Sequence, residues 1–386
     1  MLIYLENILI SGVLFFIGNY AYKSRRKSFS YILPFLMIIV ISSIIAGLRS
    51  NTVGTDVRNY AEPLQHLANM SDNYFDFINN YAFPNVEKGY LTIIFVVSRF
   101  TQKLFVSQLV IEVIIMSTLI FGILKFERIN KKSISFVIGI IIFYCFFYNL
   151  SFNMIRQSVA IFILFYSFNF LLTQNYIKYF IGVIIAVTFH NSAIISIVIF
   201  FIYILTYDKS KKIDFKIGDN LYGINTVMLN SVMLILISFI IILSAGSLVN
   251  VLHVIGLDNY IDLYMSNFGF NVSLTNLIPR LLLVGTLIIE WKEMKIQKNK
   301  LRYFYIVIAL IDLLLFQVSG YAYRIGWYTT VFYIYSISDA LADDNNKVRR
   351  NSIIVFLIVA LFIYWYMYTV VANLNETVPY IFGNFN

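Results

Sequence analysis

Apolar runs separated by short polar breaks make up nearly the whole chain. They cover residues 2–20, 30–48, 88–104, 106–124, 134–150, 156–172, 177–190, 192–207, 226–248, 275–291, 302–318, 325–341 and 351–371. Most are about 17–24 residues long, the helix length that crosses a hydrocarbon core of roughly 30 Å. None shows the apolar–polar alternation of a barrel strand. The polar intervals reach only about 25–40 residues, too short for a soluble domain of ordinary size. The pattern predicts an all-α polytopic membrane protein, with residues 1–386 forming a single integral membrane domain.

Composition agrees with the pattern. The chain is 60% hydrophobic and 13% charged, whereas soluble domains are about 45–50% apolar and about 25% charged. A water-facing shell cannot cover this composition, so lipid is the solvent. The net charge of +9 fits Lys and Arg placed in cytoplasmic loops better than a nucleic-acid partner. The single Cys145 excludes a disulfide framework and a cysteine-based metal site. Met1 leads into an apolar segment without a basic n-region or a small-residue cleavage site, which reads as a retained first span.

Basic loops set the orientation. Lys23 to Lys27, Lys125 to Lys132, Lys209 to Lys216 (within the loop 208–225), Lys292 to Arg302 and Lys347 to Arg350 are expected in the cytoplasm. The segments 49–87, 250–274 and 372–386 are poorer in Lys and Arg and are expected outside. Between an outer 49–87 and an inner Lys125–Lys132 only one crossing fits, yet two apolar runs lie there. The run 88–104 carries Arg99, Gln102 and Lys103 in its second half and is read as a re-entrant or interfacial helix. About twelve crossings then remain, with both termini outside.

This map puts Arg49, Arg58, Arg156, His190, Arg280 and Arg324 at outer ends of spans, where a positive-inside protein avoids arginine. The densest stretch runs from Arg49 to Tyr60, with Gly54 suited to a tight turn and Asp56 suited to capping a following helix. Val86 to Tyr90 places Glu87 at a helix start, where the dipole favours it. Asn149 to Gln157 is a polar break whose Arg156 and Gln157 open a second helix. A helix N-terminus with a guanidinium suits phosphate. His190, followed by Asn191 and Ser192, suits general-base work near neutral pH. Ser319 to Arg324 forms another outer turn, with Trp327 and Tyr328 beyond it. Arg280, and Asp312 in mid-run, are intramembrane ionisable candidates. Glu6, Glu112 and Glu290 are weaker ones. Asp343-Asp344 reads as a solvated loop. There is no P-loop, no dinucleotide fingerprint, no H-E-x-x-H and no Cys/His zinc spacing, and no cofactor or metal is expected.

Arg49 with Val53-Gly54-Thr55-Asp56 and Tyr60, Glu87 with Gly89-Tyr90, Arg156-Gln157 with Ala160, Phe189-His190 with Ser192, and Arg324 occur in that order through residues 49–324. This constellation resembles the EpsG family of Wzy-type polysaccharide polymerases. Lys88 stands where the family commonly has proline, and 205–275 matches no known motif. The resemblance implies a helical bundle similar to GT-C glycosyltransferases and O-antigen ligases. The implied reaction joins undecaprenyl-pyrophosphate-linked repeat units at the outer face of a bacterial cytoplasmic membrane, without a metal. The implied partners are the lipid-linked donor and acceptor, the bilayer and a chain-length regulator protein. Arg49, Arg156, Arg324 and Arg280 are the expected pyrophosphate ligands. Gln157, Tyr60, Glu87 and Tyr323 are the expected substrate contacts. His190 and Asp56 are the two candidates for the catalytic base, with His190 preferred and Asp56 orienting an arginine or sugar.

Rival functions are a flippase or transporter for the same lipid, a membrane acyltransferase, and a ligase. A transporter should show internal repeats or a charged path at the midplane. An acyltransferase should place its chemistry toward the cytoplasm. A ligase differs only in its acceptor.

Overall fold

The computed structural model describes residues 1–24, 31–81, 83, 85–132, 134–208, 212–217, 220–254, 273–318 and 322–383. The basic stretch 25–30, most of the loop 250–274 and the turn 319–321 lie outside the described residues. The helices are α1 (Leu2–Ser24), α2 (Ile32–Gly47), α3 (Glu62–Met70), α4 (Lys88–Ser98), α5 (Leu104–Asn130), α6 (Val137–Phe143), α7 (Ile155–Leu172), α8 (Tyr176–Phe189) and α9 (Ser196–Thr206). A two-stranded antiparallel hairpin, β1 (Lys212–Ile217) and β2 (Asn220–Asn225), occupies the expected cytoplasmic loop. Then follow α10 (Thr226–Val254), α11 (Leu274–Ile289), α12 (Trp291–Ile296), α13 (Arg302–Leu315), α14 (Ala322–Thr330), α15 (Tyr333–Asp343) and α16 (Lys347–Trp365).

Among the described residues four helices are long and apolar enough to cross a membrane: Leu2–Tyr22, Leu104–Asn130, Ile155–Leu172 and Lys347–Val371. The other apolar helices are shorter, at 10–17 residues. The run 88–104 yields only the 11-residue α4, about 16 Å long at 1.5 Å per residue, roughly half a hydrocarbon core. Arg99 ends it by donating to the Ser71 carbonyl at 2.9 Å and to that of Ala68. The run 325–341 is two helices, α14 and α15, broken at Val331 and Phe332.

The chain packs as two compact units, Met1–Ile194 with Leu361–Asn386, and Ile195–Ala360. In the first, α5 and α7 pack together, α2 lies on α5, α8 on α7 and α1 on α2. Some polar side chains inside it bond one another across helices, which suits a bundle whose outer face meets lipid. Ser42 Oγ donates to Asn7 Oδ1 at 3.1 Å, and the Tyr144 hydroxyl bonds Ser11 and Ser42 at 2.6 Å each. In the second unit α13 is central, contacted by α9, α10, α11 and α14.

The tail after α16 turns back on the start of the chain. Its Ile381 carbonyl accepts from Ser50 N at 2.8 Å, Glu376 O accepts from Gly54 N at 2.9 Å, and Gly383 N donates to Leu48 O at 2.9 Å. Thr377 joins two more elements: its carbonyl takes the Tyr4 hydroxyl at 2.8 Å and its Oγ1 takes Asn149 Nδ2 at 2.9 Å.

Candidate functional site

The helix that carries the site is α7. The preceding helical segment, Asn149–Asn153, ends where Met154 leaves helical geometry at φ −126° and ψ 58°, and α7 restarts at Ile155. A restarted helix exposes N–H groups that need acceptors, and Met154 supplies none from its side chain. Asp56 does: its Oδ2 accepts from Ile155 N at 3.1 Å and from the Tyr60 hydroxyl at 2.6 Å. The expected capping by Asp56 therefore falls on a helix 99 residues away, while its own following turn gets no side-chain cap. Thr55 N adds a bond to Asn153 Oδ1 at 2.9 Å. Gly54 makes the approach possible: its φ is +87°, and a Cβ there would come within 2.4 Å of the Phe152 carbonyl oxygen.

Arg156, the second residue of α7, lies over the Tyr60 ring at 4.7 Å. Its Nη1 donates to the Glu87 carboxylate and to the Asn85 carbonyl, the latter at 3.0 Å. Its Nε has no hydrogen-bond partner among the described residues. Burial, then the Asp56 charge, holds the Tyr60 hydroxyl well above its ordinary pKa, so at neutral pH it is a donor to Asp56. Tyr60 also packs edge-on against the buried Tyr90, at 5.6 Å between ring centres. Tyr60 and Glu87 were expected as substrate contacts; both are seen holding Arg156.

The second oxygen of Glu87 accepts from Asn191 N at 3.1 Å. That residue follows His190, which leaves α8 in an extended conformation. The His190 ring Nδ1 lies 2.6 Å from Ser192 Oγ and accepts from Ser192 N at 3.3 Å. Asp56, Tyr60, Glu87, Arg156 and the His190 turn thus form one connected group in the first unit. Gln157 is buried beside them in α7.

Arg49 is 5% exposed and lies over the Phe152 ring at 4.3 Å. It donates to the Ala46 carbonyl, and its Nε has no hydrogen-bond partner among the described residues. Burial lowers its pKa, opposed first by Glu112 and then by Tyr4. Glu112, a weak candidate by sequence, is 2% exposed, and its Oε2 accepts from Ser151 Oγ at 3.1 Å.

The other expected residues belong to the second unit. Arg280 is fully buried; its Nε donates to Asp312 Oδ2 at 3.0 Å, and its guanidinium sits 3.3 Å from the Phe316 ring centre. Asp312 Oδ1 takes the hydroxyls of Thr329 and Thr330 at 2.8 and 2.7 Å. The expected pyrophosphate role does not fit an arginine with no surface and a matched charge. Tyr323 and Arg324 are half-buried in the first turn of α14. Asp343 and Asp344 are buried, not solvated: Asn299 Nδ2 donates to Asp343 at 2.8 Å, and Arg349 Nη2 pairs with Asp344 at 2.9 Å. Among the described residues no three His, Cys, Asp or Glu side chains gather as a metal site.

A family model, described as the EpsG family, matches residues 31–382. The chain belongs to the EpsG family. Its members are Wzy-type polysaccharide polymerases and exopolysaccharide biosynthesis proteins. No curated protein and no solved structure matches the chain. Its apolar helices make this EpsG-family chain a membrane protein of polysaccharide biosynthesis.

Proposed function

We propose that this EpsG-family protein joins undecaprenyl-pyrophosphate-linked oligosaccharide repeat units at the outer face of the bacterial cytoplasmic membrane. The observation that carries the reading is the group around the α7 N-terminus, where Arg156 stands over Tyr60 and pairs with Glu87 next to the His190 turn.

Breaking the sugar–pyrophosphate bond builds negative charge on the leaving group, so fixed cations are the natural catalysts. Arg156 and Arg49 supply them. The acceptor hydroxyl loses its proton during attack, and His190 takes it. Asp56 already accepts the Ile155 N–H and the Tyr60 hydroxyl, which suits an orienting residue better than a base. Gln157 contacts the sugars. The reaction needs no metal.

Arg156→Ala or Arg49→Ala should leave an abundant, folded protein that accumulates single lipid-linked repeat units, with chain growth down by about 100-fold or more. Purified protein given one lipid-linked repeat unit and no added metal should extend it. Wild-type chain lengths from both variants would overturn the site. Transfer only to an acceptor other than a second repeat unit would make the protein a ligase.

A further inference from the structure

Glu87 divides its carboxylate between two elements. Oε2 takes Arg156 Nη1 from α7, and Oε1 takes the Asn191 N–H from the turn that holds His190. It stands at the start of α4, yet its side chain makes no bond to that helix, so helix capping does not account for it. Gly89 allows the reach. A Cβ at that position would lie 2.5 Å from Thr188 Oγ1 and 2.6 Å from the Thr188 carbonyl. Without one, the first turn of α4 closes onto the last turn of α8, two residues before His190.

We propose that Glu87 is a positioning residue that couples the Arg156 guanidinium to the His190 turn. An anion that engages Arg156 competes with Glu87 for the same N–H groups, and charge-assisted bonds are the strong ones in such a network. Seating the donor pyrophosphate at Arg156 therefore resets the carboxylate that fixes the Asn191 backbone, and with it the acceptor base. The coupling is geometric; the roles of its two ends rest on the function proposed above.

Two readouts test it. In the full-length, substrate-free protein, Glu87→Ala should raise hydrogen exchange at the Asn191 amide about tenfold, the loss of one hydrogen bond. Arg156→Ala should raise it as well, and should add nothing in the Glu87→Ala background. Unchanged Asn191 exchange in Arg156→Ala would overturn the coupling. In chain-growth assays Glu87→Gln, which keeps an acceptor for Asn191 but loses the ion pair, should lower kcat about 100-fold, the effect of a reacting group displaced by about 1 Å. Its KM should stay within about threefold, and Glu87→Asp should recover part of the loss. A raised KM with unchanged kcat would instead make Glu87 a substrate contact. Wild-type protein that extends no chains would end the polymerase reading, while the exchange measurement still decides the coupling. Should Glu87→Ala fail to fold, Arg156→Ala carries the exchange readout and Glu87→Gln the kinetic one.

Discussion

Asp56 illustrates how one carboxylate can mimic a catalytic group. It lies beside a tyrosine and near an arginine, and it stands in the polar stretch from Arg49 to Tyr60. Its Oδ2 accepts from the Ile155 amide and from Tyr60, and an amide oxygen can accept the same two bonds. Asp56→Asn should therefore retain chain growth within about tenfold of wild type, because acceptor capacity survives. Loss of a general base would cost about 100- to 10,000-fold. Asp56→Ala should cost about 1 kcal/mol of stability through the uncapped α7. Chain growth and thermal unfolding of the two variants check both statements; an inactive, fully stable Asp56→Asn would return Asp56 to the role of base. The residue type and the turn at Gly54 were legible in the sequence. The partner was not, because a cap supplied across 99 residues has no local spacing to betray it.

At the scale of elements, the joint between α11, α12 and α16 carries a titratable group. Glu290 is fully buried between α11 and α12. Its Oε2 accepts from Arg349 Nη2 at 3.4 Å, and the same nitrogen meets Glu293 and Asp344 at 3.5 and 2.9 Å. Arg349→Ala takes the shared cation from these three carboxylates and should lower the unfolding temperature of detergent-solubilised protein by more than Glu293→Ala does. An unchanged unfolding temperature in Arg349→Ala would exclude the joint as a source of stability. The sequence put Glu290 near the end of an apolar run and read Asp343-Asp344 as a solvated loop. Hydropathy averages over a window, whereas this joint is built from single acidic residues, Glu290, Glu293 and Asp344, gathered around Arg349 of α16. The tail 372–383 escaped for a related reason: it is held largely by backbone bonds to residues 48–54, and backbone bonds leave no pattern of side chains.

At the scale of the whole molecule, helical membrane character was legible from run lengths alone, because each run must satisfy its own backbone in lipid. The division into two units was not, since both are made of the same kind of run. That division separates the arginines that outer-face bookkeeping had grouped. Arg49 and Arg156 lie in one unit, Arg280 and Arg324 in the other. Position near the end of a run cannot tell a guanidinium held for a ligand from one already matched by a carboxylate. Arg280 is the second kind, with Asp312, Thr330 and Phe316 closed around it. Removing one partner of a buried pair costs about 3–5 kcal/mol because the other charge is left uncompensated, whereas replacing both with apolar residues is often neutral or better. Arg280→Ala should thus lower the unfolding temperature and the amount of protein recovered from membranes. The double variant Arg280→Leu with Asp312→Leu should restore both, together with chain growth. Arg156→Ala, at a side chain 19% exposed in the first turn of its helix, should do the reverse and abolish chain growth without loss of protein. A stable, abundant but inactive double variant would reinstate Arg280 as a ligand for the pyrophosphate and overturn its structural assignment.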